Sequence, residues 1–223
     1  MKYIKKLIGI LMGIVLCMSG TSVARAADTK ENIVVTFSIA QIPTEYSTDD
    51  YYVVYDMGEN ENYAYIYEKN TDILIGDYAE IISQSNARYV GEQTVQVYSN
   101  FYASAVANNI TKLRALVTMR VYTEMIGSKT VHTILGIIAC DQNIVGEGPC
   151  YIESKTTSEN RHTTTYCDVN CSGVLKTEST TATVGGVEIG LLENLGFSIT
   201  TSSSSTWVAR LAYNTVVRVE VIH

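Results

Sequence analysis

The chain has 223 residues, 46% of them hydrophobic and 17% charged, with a formal charge of −7, five cysteines and two prolines. A chain this apolar is not intrinsically disordered, and its acidity excludes nucleic acid as a partner. Beyond the N-terminus no apolar run approaches the ~18 residues of a membrane-spanning helix.

Residues 1–26 read as an export address. Lys2, Lys5 and Lys6 form a positive start, Leu7 to Leu16 an uncharged apolar run, and Ala24-Arg25-Ala26 ends in the small residues of a cleavage site. The pattern predicts a secretory signal peptide cleaved after Ala26, bacterial in style, and a mature protein in the medium or cell envelope. Removing Lys2, Lys5, Lys6 and Arg25 leaves 12 basic and 23 acidic side chains over 197 residues, a charge of −11. Attraction to anionic lipid or polyanions is therefore not its basis for binding. Residues 27–93 carry 13 acids against three basic residues and nine of the 16 tyrosines; residues 94–223 carry ten acids against nine. We read 27–223 as one β-rich domain, with a subdivision near residue 93 as the alternative.

Period-two alternation dominates from there on. Ile33–Ala40 predicts a strand with Val35, Phe37 and Ile39 on one face. Tyr51–Glu68 predicts a hairpin around the polar turn Met57–Asn62, in which Tyr63, Tyr65 and Tyr67 alternate with Ala64 and Ile66. Tyr98–Leu113, with its blurred period, is a helix candidate. Leu113, Ala115, Val117, Met119 and Val121 alternate with Arg114, Thr118 and Arg120, a strand. Thr130–Cys140 is an apolar strand followed by a polar loop, Asp141–Pro149. Arg161–Cys167 and Cys171–Thr177 read as a second hairpin turning at Asp168-Val169-Asn170. Gly186–Leu195 is the other helix candidate, with Val187, Leu191 and Leu195 four apart and Gly196 as its C-cap. Val217, Val219 and Val221 form a last strand. The expected fold is mainly β: antiparallel hairpins in an elongated β-sandwich, with at most one or two short helices.

Four cysteines remain after cleavage, and an even number in an exported chain predicts disulfides. The hairpin readings favour Cys140 with Cys150 and Cys167 with Cys171, although crossing pairs are not excluded. The alternative use of His162, Cys167 and Cys171, as zinc ligands, lacks a fourth ligand unless Cys150 supplies it. His132 lies in an apolar strand and reads as a packed residue. There is no Gly-x-Ser-x-Gly elbow, His-Glu-x-x-His pair or phosphate-cradling glycine loop. No catalytic residue, metal ligand or cofactor is assigned. Asp49, Asp50, Asp56, Glu59 and Glu61 could supply paired carboxylates for a hydrolase, which needs one of them buried, or oxygens for calcium, without the spacing of a calcium loop.

Two surfaces remain. Tyr63, Tyr65 and Tyr67 suit a carbohydrate, whose C–H faces stack on aromatic rings, or another cell-surface partner. From Ser154 to Thr206, 21 of 53 residues are Ser or Thr. The Thr177–Thr183 and Ser198–Thr206 tracts resemble in composition, without a shared motif, the strands of β-pore-forming toxins of the aerolysin kind. That resemblance implies membrane insertion. The leading expectation is a non-enzymatic extracellular or cell-surface binding protein, ahead of a pore-forming protein and an exported hydrolase.

Overall fold

In the computed structural model the described residues are 31–83, 90–102, 112–145, 150–179, 183–184, 187–188, 197–201 and 206–223. Residues 1–26, where a signal peptide is expected, lie outside them. Asn32–His223 is one compact unit built of two antiparallel sheets packed face to face, a β-sandwich. Among the described residues there is no helix.

One sheet is a meander. β3 (Tyr51–Met57), β4 (Glu61–Glu68), β5 (Leu74–Ile82), β6 (Gly91–Tyr102), β7 (Lys112–Ile126) and β8 (Lys129–Val145) each pair with the next. The alternation read from the sequence sets which face is buried. Ala64 and Ile66, Val95 and Val97, and Leu113 through Val121 at every second position are within 3% of fully buried. Full burial of a side chain such as Ile66 or Met119 contributes ~1.5–3 kcal/mol. The β7–β8 hairpin turns at Gly127-Ser128, where Gly127 takes a φ of +67° that a β-carbon would strain.

The second sheet runs β1 (Asn32–Thr36), β2 (Ala40–Ser47), β14 (Trp207–Val221), β10 (Tyr166–Ser179) and β9 (Cys150–His162), with β13 (Ser198–Thr201) also on β14. β11 (Thr183–Val184) and β12 (Val187–Glu188) pair only with each other. Val35, Phe37, Ile39 and Ile42 join Cys167, Val169, Cys171, Val219 and Val221 in the main core. A smaller core gathers Leu113, Leu175, Phe197 and Ala209, with Trp207 against it.

Two polar side chains tie the sheets together. Glu80 of β5 has no exposed surface and accepts from the backbone N–H groups of Ser38 (3.1 Å), Ile39 (2.9 Å) and Ala40 (2.7 Å) and from Asn62 Nδ2 (2.8 Å). Burial pushes its carboxyl above the ordinary value, and these hydrogen bonds offset that only in part. Gln142 of β8 donates to the carbonyls of Thr156 and Ser172, both at 2.9 Å, and accepts from the Tyr213 hydroxyl at 2.9 Å.

Several expectations are corrected. Ile33–Ala40 is not one strand: the chain reverses at Phe37–Ile39, where Phe37 N–H meets the Ala40 carbonyl at 2.8 Å and Glu80 gathers the neighbouring N–H groups. Tyr98–Tyr102 is strand, and Lys112–Leu113 opens β7, so neither end of the first helix candidate is helical. Val187–Glu188 of the second candidate is strand, and the rest of it lies outside the described residues. Asp141–Val145 of the expected loop after Cys140 is strand, because β8 runs on to Val145, and 146–149 lie outside the described residues.

Both cysteine staples lose their hairpins. Cys167 and Cys171 lie on one unbroken strand, four residues apart or ~13 Å, against the ~4.4–6.8 Å that a disulfide spans. The turn comes earlier, at Thr163–Thr165, where the Thr163 hydroxyl accepts from Thr165 N–H and Tyr166 N–H, both at 3.2 Å. Asp168 and Val169, read as turn residues, are instead an Arg218 ion pair at 2.7 Å and a core side chain. Cys140 and Cys150 sit in opposite sheets and pack in different cores. All four thiols are unbonded in this structure.

Candidate functional site

The outer face of the meander carries Tyr52, Tyr63, Tyr65, Tyr67 and Tyr98, whereas Tyr51 and Tyr78 pack on the core side. Because Ala64 and Ile66 face the core, Tyr63, Tyr65 and Tyr67 of β4 face outward, each half-buried. Register adds neighbours from other strands. One cross-strand row reads Asp56, Tyr63, Ala79, Tyr98 and Leu116; the next reads Val54, Tyr65, Asp77, Asn100 and Arg114. Ala79 has no exposed surface although it faces outward, so the side chains around it close over it. The result is a continuous aromatic platform.

At one end Tyr52 stacks on Tyr67, with ring centroids 5.5 Å apart and planes 21° apart, and its hydroxyl donates to Asp72 at 2.9 Å. That bond to a carboxylate holds the Tyr52 proton more tightly than usual. In the middle the Tyr63 hydroxyl donates to Glu61 at 2.6 Å, which with desolvation pushes its pKa up to about 12. At the other end the Arg114 guanidinium lies 4.0 Å over the Tyr98 ring. A chain of contacts fixes it there. Arg114 Nε donates to Asn100 Oδ1 at 2.8 Å, Asn100 Nδ2 donates to Asp77 at 2.7 Å, and Lys112 lies 3.5 Å from Asp77. Burial raises the Tyr98 hydroxyl pKa, against the lowering effect of Arg114. These phenols stay protonated at neutral pH, so each offers a ring face and a hydroxyl.

Tyr98, Asp77, Asn100 and Arg114 were not singled out in the sequence. The signal was present: Val95, Val97 and Ser99 alternate with Gln96, Tyr98 and Asn100. The helix reading of Tyr98–Leu113 hid it.

The remaining sequence candidates come out differently. Asp49, Asp50, Asp56, Glu59 and Glu61 are all exposed, so none of the five is itself the buried carboxyl that acid chemistry needs. His162 bonds to Glu159, and no group of three metal-ligating side chains occurs among the described residues. His132 is buried, with Nδ1 2.9 Å from the Thr123 hydroxyl. Of the Ser/Thr tracts, Thr177 is buried, Ser198, Thr200 and Thr201 are exposed, and 180–182 and 202–205 lie outside the described residues. A cleft of about 180 Å³ opens where β2 and β14 diverge, lined in part by Glu45, Tyr46, Tyr78 and Arg218. No known protein family, curated protein or solved structure matches the chain.

Proposed function

We propose that the protein is an exported, non-enzymatic binding protein whose ligand surface is the outer tyrosine platform, and that the ligand is a neutral or weakly charged carbohydrate. One observation carries this reading: Tyr52 of β3, Tyr63, Tyr65 and Tyr67 of β4 and Tyr98 of β6 all face outward, while the aliphatic Ala64, Ile66, Val95 and Val97 fill the core behind β4 and β6. An aromatic row needed only for stability would gain more by facing inward. Rings half-open to solvent present apolar faces that sugar C–H groups cover, and the rim of Glu61, Asp77 and Arg114 supplies acceptors and donors for hydroxyls. The acidity of the first third of the chain disfavours anionic ligands. The lysine-led start and Ala24-Arg25-Ala26 support a bacterial extracellular or envelope setting for this surface.

The test is retention on insoluble polysaccharides and a glycan array, comparing the parent protein with Y63A/Y65A/Y67A. Each ring is expected to contribute up to ~1.5 kcal/mol, about tenfold in Kd, so the triple variant should lose nearly all retention. Its core is untouched, so its far-UV spectrum should match the parent. Equal retention by parent and triple variant refutes the assignment.

A further inference from the structure

Cys167, Val169 and Cys171 alternate along the inner face of β10, each with 1% or less of its surface exposed. Cys140 of β8, in the opposite sheet, packs against the same core. Two contacts set the register between these strands. Met119, paired with Ile137 across β7 and β8, has its sulfur 3.9 Å from that of Cys167. Gln142 reaches the Ser172 carbonyl at 2.9 Å. The stretch Ile137–Gln142 therefore runs beside Cys167–Ser172 in the same direction. Cys140, two residues before Gln142, falls level with Asn170, so on the inner face it lies between Val169 and Cys171. Of the two buried thiols of β10, Cys171 is the nearer in register, with Cys167 three positions away. Packed sheets usually lie ~10 Å apart, too far for a disulfide. β8 and β10 come closer than that, with backbone positions within 8 Å of each other, and beside Cys140 and Cys171 one glutamine side chain spans the gap.

We propose that Cys140 and Cys171 are an oxidisable pair that closes into a single disulfide joining the two sheets, leaving Cys150 and Cys167 as thiols. Cys140 is half-buried and Cys171 fully buried, so an oxidant meets Cys140 first. With a small-molecule disulfide as oxidant, the Cys140 thiolate attacks one sulfur and expels the other half as a thiolate. The Cys171 thiolate then attacks the Cys140 sulfur of the mixed disulfide and releases the second half. Two protein thiols lose their protons, and the oxidant's disulfide becomes two thiols. Burial and the neighbouring Cys140 push the Cys171 thiol up to about 12, so the closing step is slow at neutral pH and accelerates as pH rises.

The experiment uses the full chain carrying C17S, equilibrated with oxidised glutathione or kept reduced, then digested without reduction and mapped by mass spectrometry. The expected product is one cross-linked peptide containing Cys140 and Cys171, with glutathione released. The bond closes a loop of about 30 residues, so the oxidised form should melt roughly 6–12 °C above the reduced form. C150A and C167A should keep both the cross-link and the shift, and C140A should lose both. Comparison of oxidised with reduced parent protein stands even if C140A fails to fold. Four free thiols after equilibration, or Cys140 joined to Cys150 or Cys167, overturns the proposal.

Discussion

Replacing Glu80 tests how the sheets are held together. E80A removes the acceptor for three backbone N–H groups and the Asn62 amide in a region closed to solvent. Each buried donor left without a partner costs ~1–3 kcal/mol, and rearrangement or entering water recovers part of that. The expected loss is about 4–5 kcal/mol, a large share of a typical total of ~5–15 kcal/mol. E80Q is milder. Its amide oxygen can keep the Ile39 and Ala40 N–H groups, and its NH₂ can donate to Asn62 Oδ1, a buried atom with no partner, once the Asn62 amide reverses. The Ser38 N–H is then opposed by a donor, and the reversed Asn62 NH₂ gives up Ser38 Oγ for a position without a partner, each at a cost of ~1–3 kcal/mol before relaxation. The pH dependence follows from the raised pKa of the carboxyl. Between its ordinary 4.5 and the higher folded value, the native state holds more protons than the unfolded state. Wild-type stability from this group is thus fully present below 4.5 and declines as pH rises through the folded pKa. E80Q lacks this decline, so its deficit should be largest near pH 4 and narrow towards pH 7. Urea unfolding followed by far-UV circular dichroism and by the emission of the single tryptophan, Trp207, measures both variants across that range. A deficit that widens with pH would show that the fold prefers the ionised clamp, and would refute the reasoning.

Further substitutions probe other parts of the fold. A β-carbon at Gly173 would lie 2.3 Å from the Ser154 carbonyl oxygen and 2.6 Å from the Tyr213 hydroxyl, so G173A should cost ~1–3 kcal/mol in urea unfolding; a loss under ~0.5 kcal/mol would contradict that packing. His132, with its pKa lowered by desolvation and by His223, makes an opposite contribution to that of Glu80. The unfolded state takes up the proton first as pH falls below 6.5, so this contribution is present above 6.5 and lost on acidification, and H132Q should flatten the thermal-stability profile between pH 7 and 5.5. An unchanged profile would count against a neutral buried imidazole. R114M should weaken polysaccharide retention severalfold, because it removes the cation over Tyr98, and should also lower the melting temperature by several degrees, because the buried Asn100 Oδ1 loses its donor at a cost of ~1–3 kcal/mol.

The strands were legible wherever one face is apolar and the other polar. Leu113 through Val121, Tyr63 through Tyr67 and Val217 through Val221 all keep their predicted faces, because period-two burial is written directly into residue type. Strand ends and pairings were less legible. Asp168 has the composition of a turn residue, and only Arg218, 50 residues further on, gives it a strand role. The reversal at Phe37–Ile39 depends on Glu80, about 40 residues away, collecting backbone N–H groups that no local pattern marks. Half of the platform was likewise visible in β4, whereas Tyr98 and Arg114 join it only through the register of β5, β6 and β7.

The two sheets differ in when their partners become available. Every pairing in the meander joins strands adjacent in sequence, so that sheet can assemble as the chain lengthens. The other sheet seats β14 between β2 and β10, and its Gln41–Glu220 contact closes over 179 positions. Until β14 has been made, β1 and β2 lack their neighbour, and the valine-rich inner face of the meander lacks most of its cover. A nascent chain therefore passes through a half-sandwich with one sticky side, the species a holding chaperone would grip and the one from which aggregation would start.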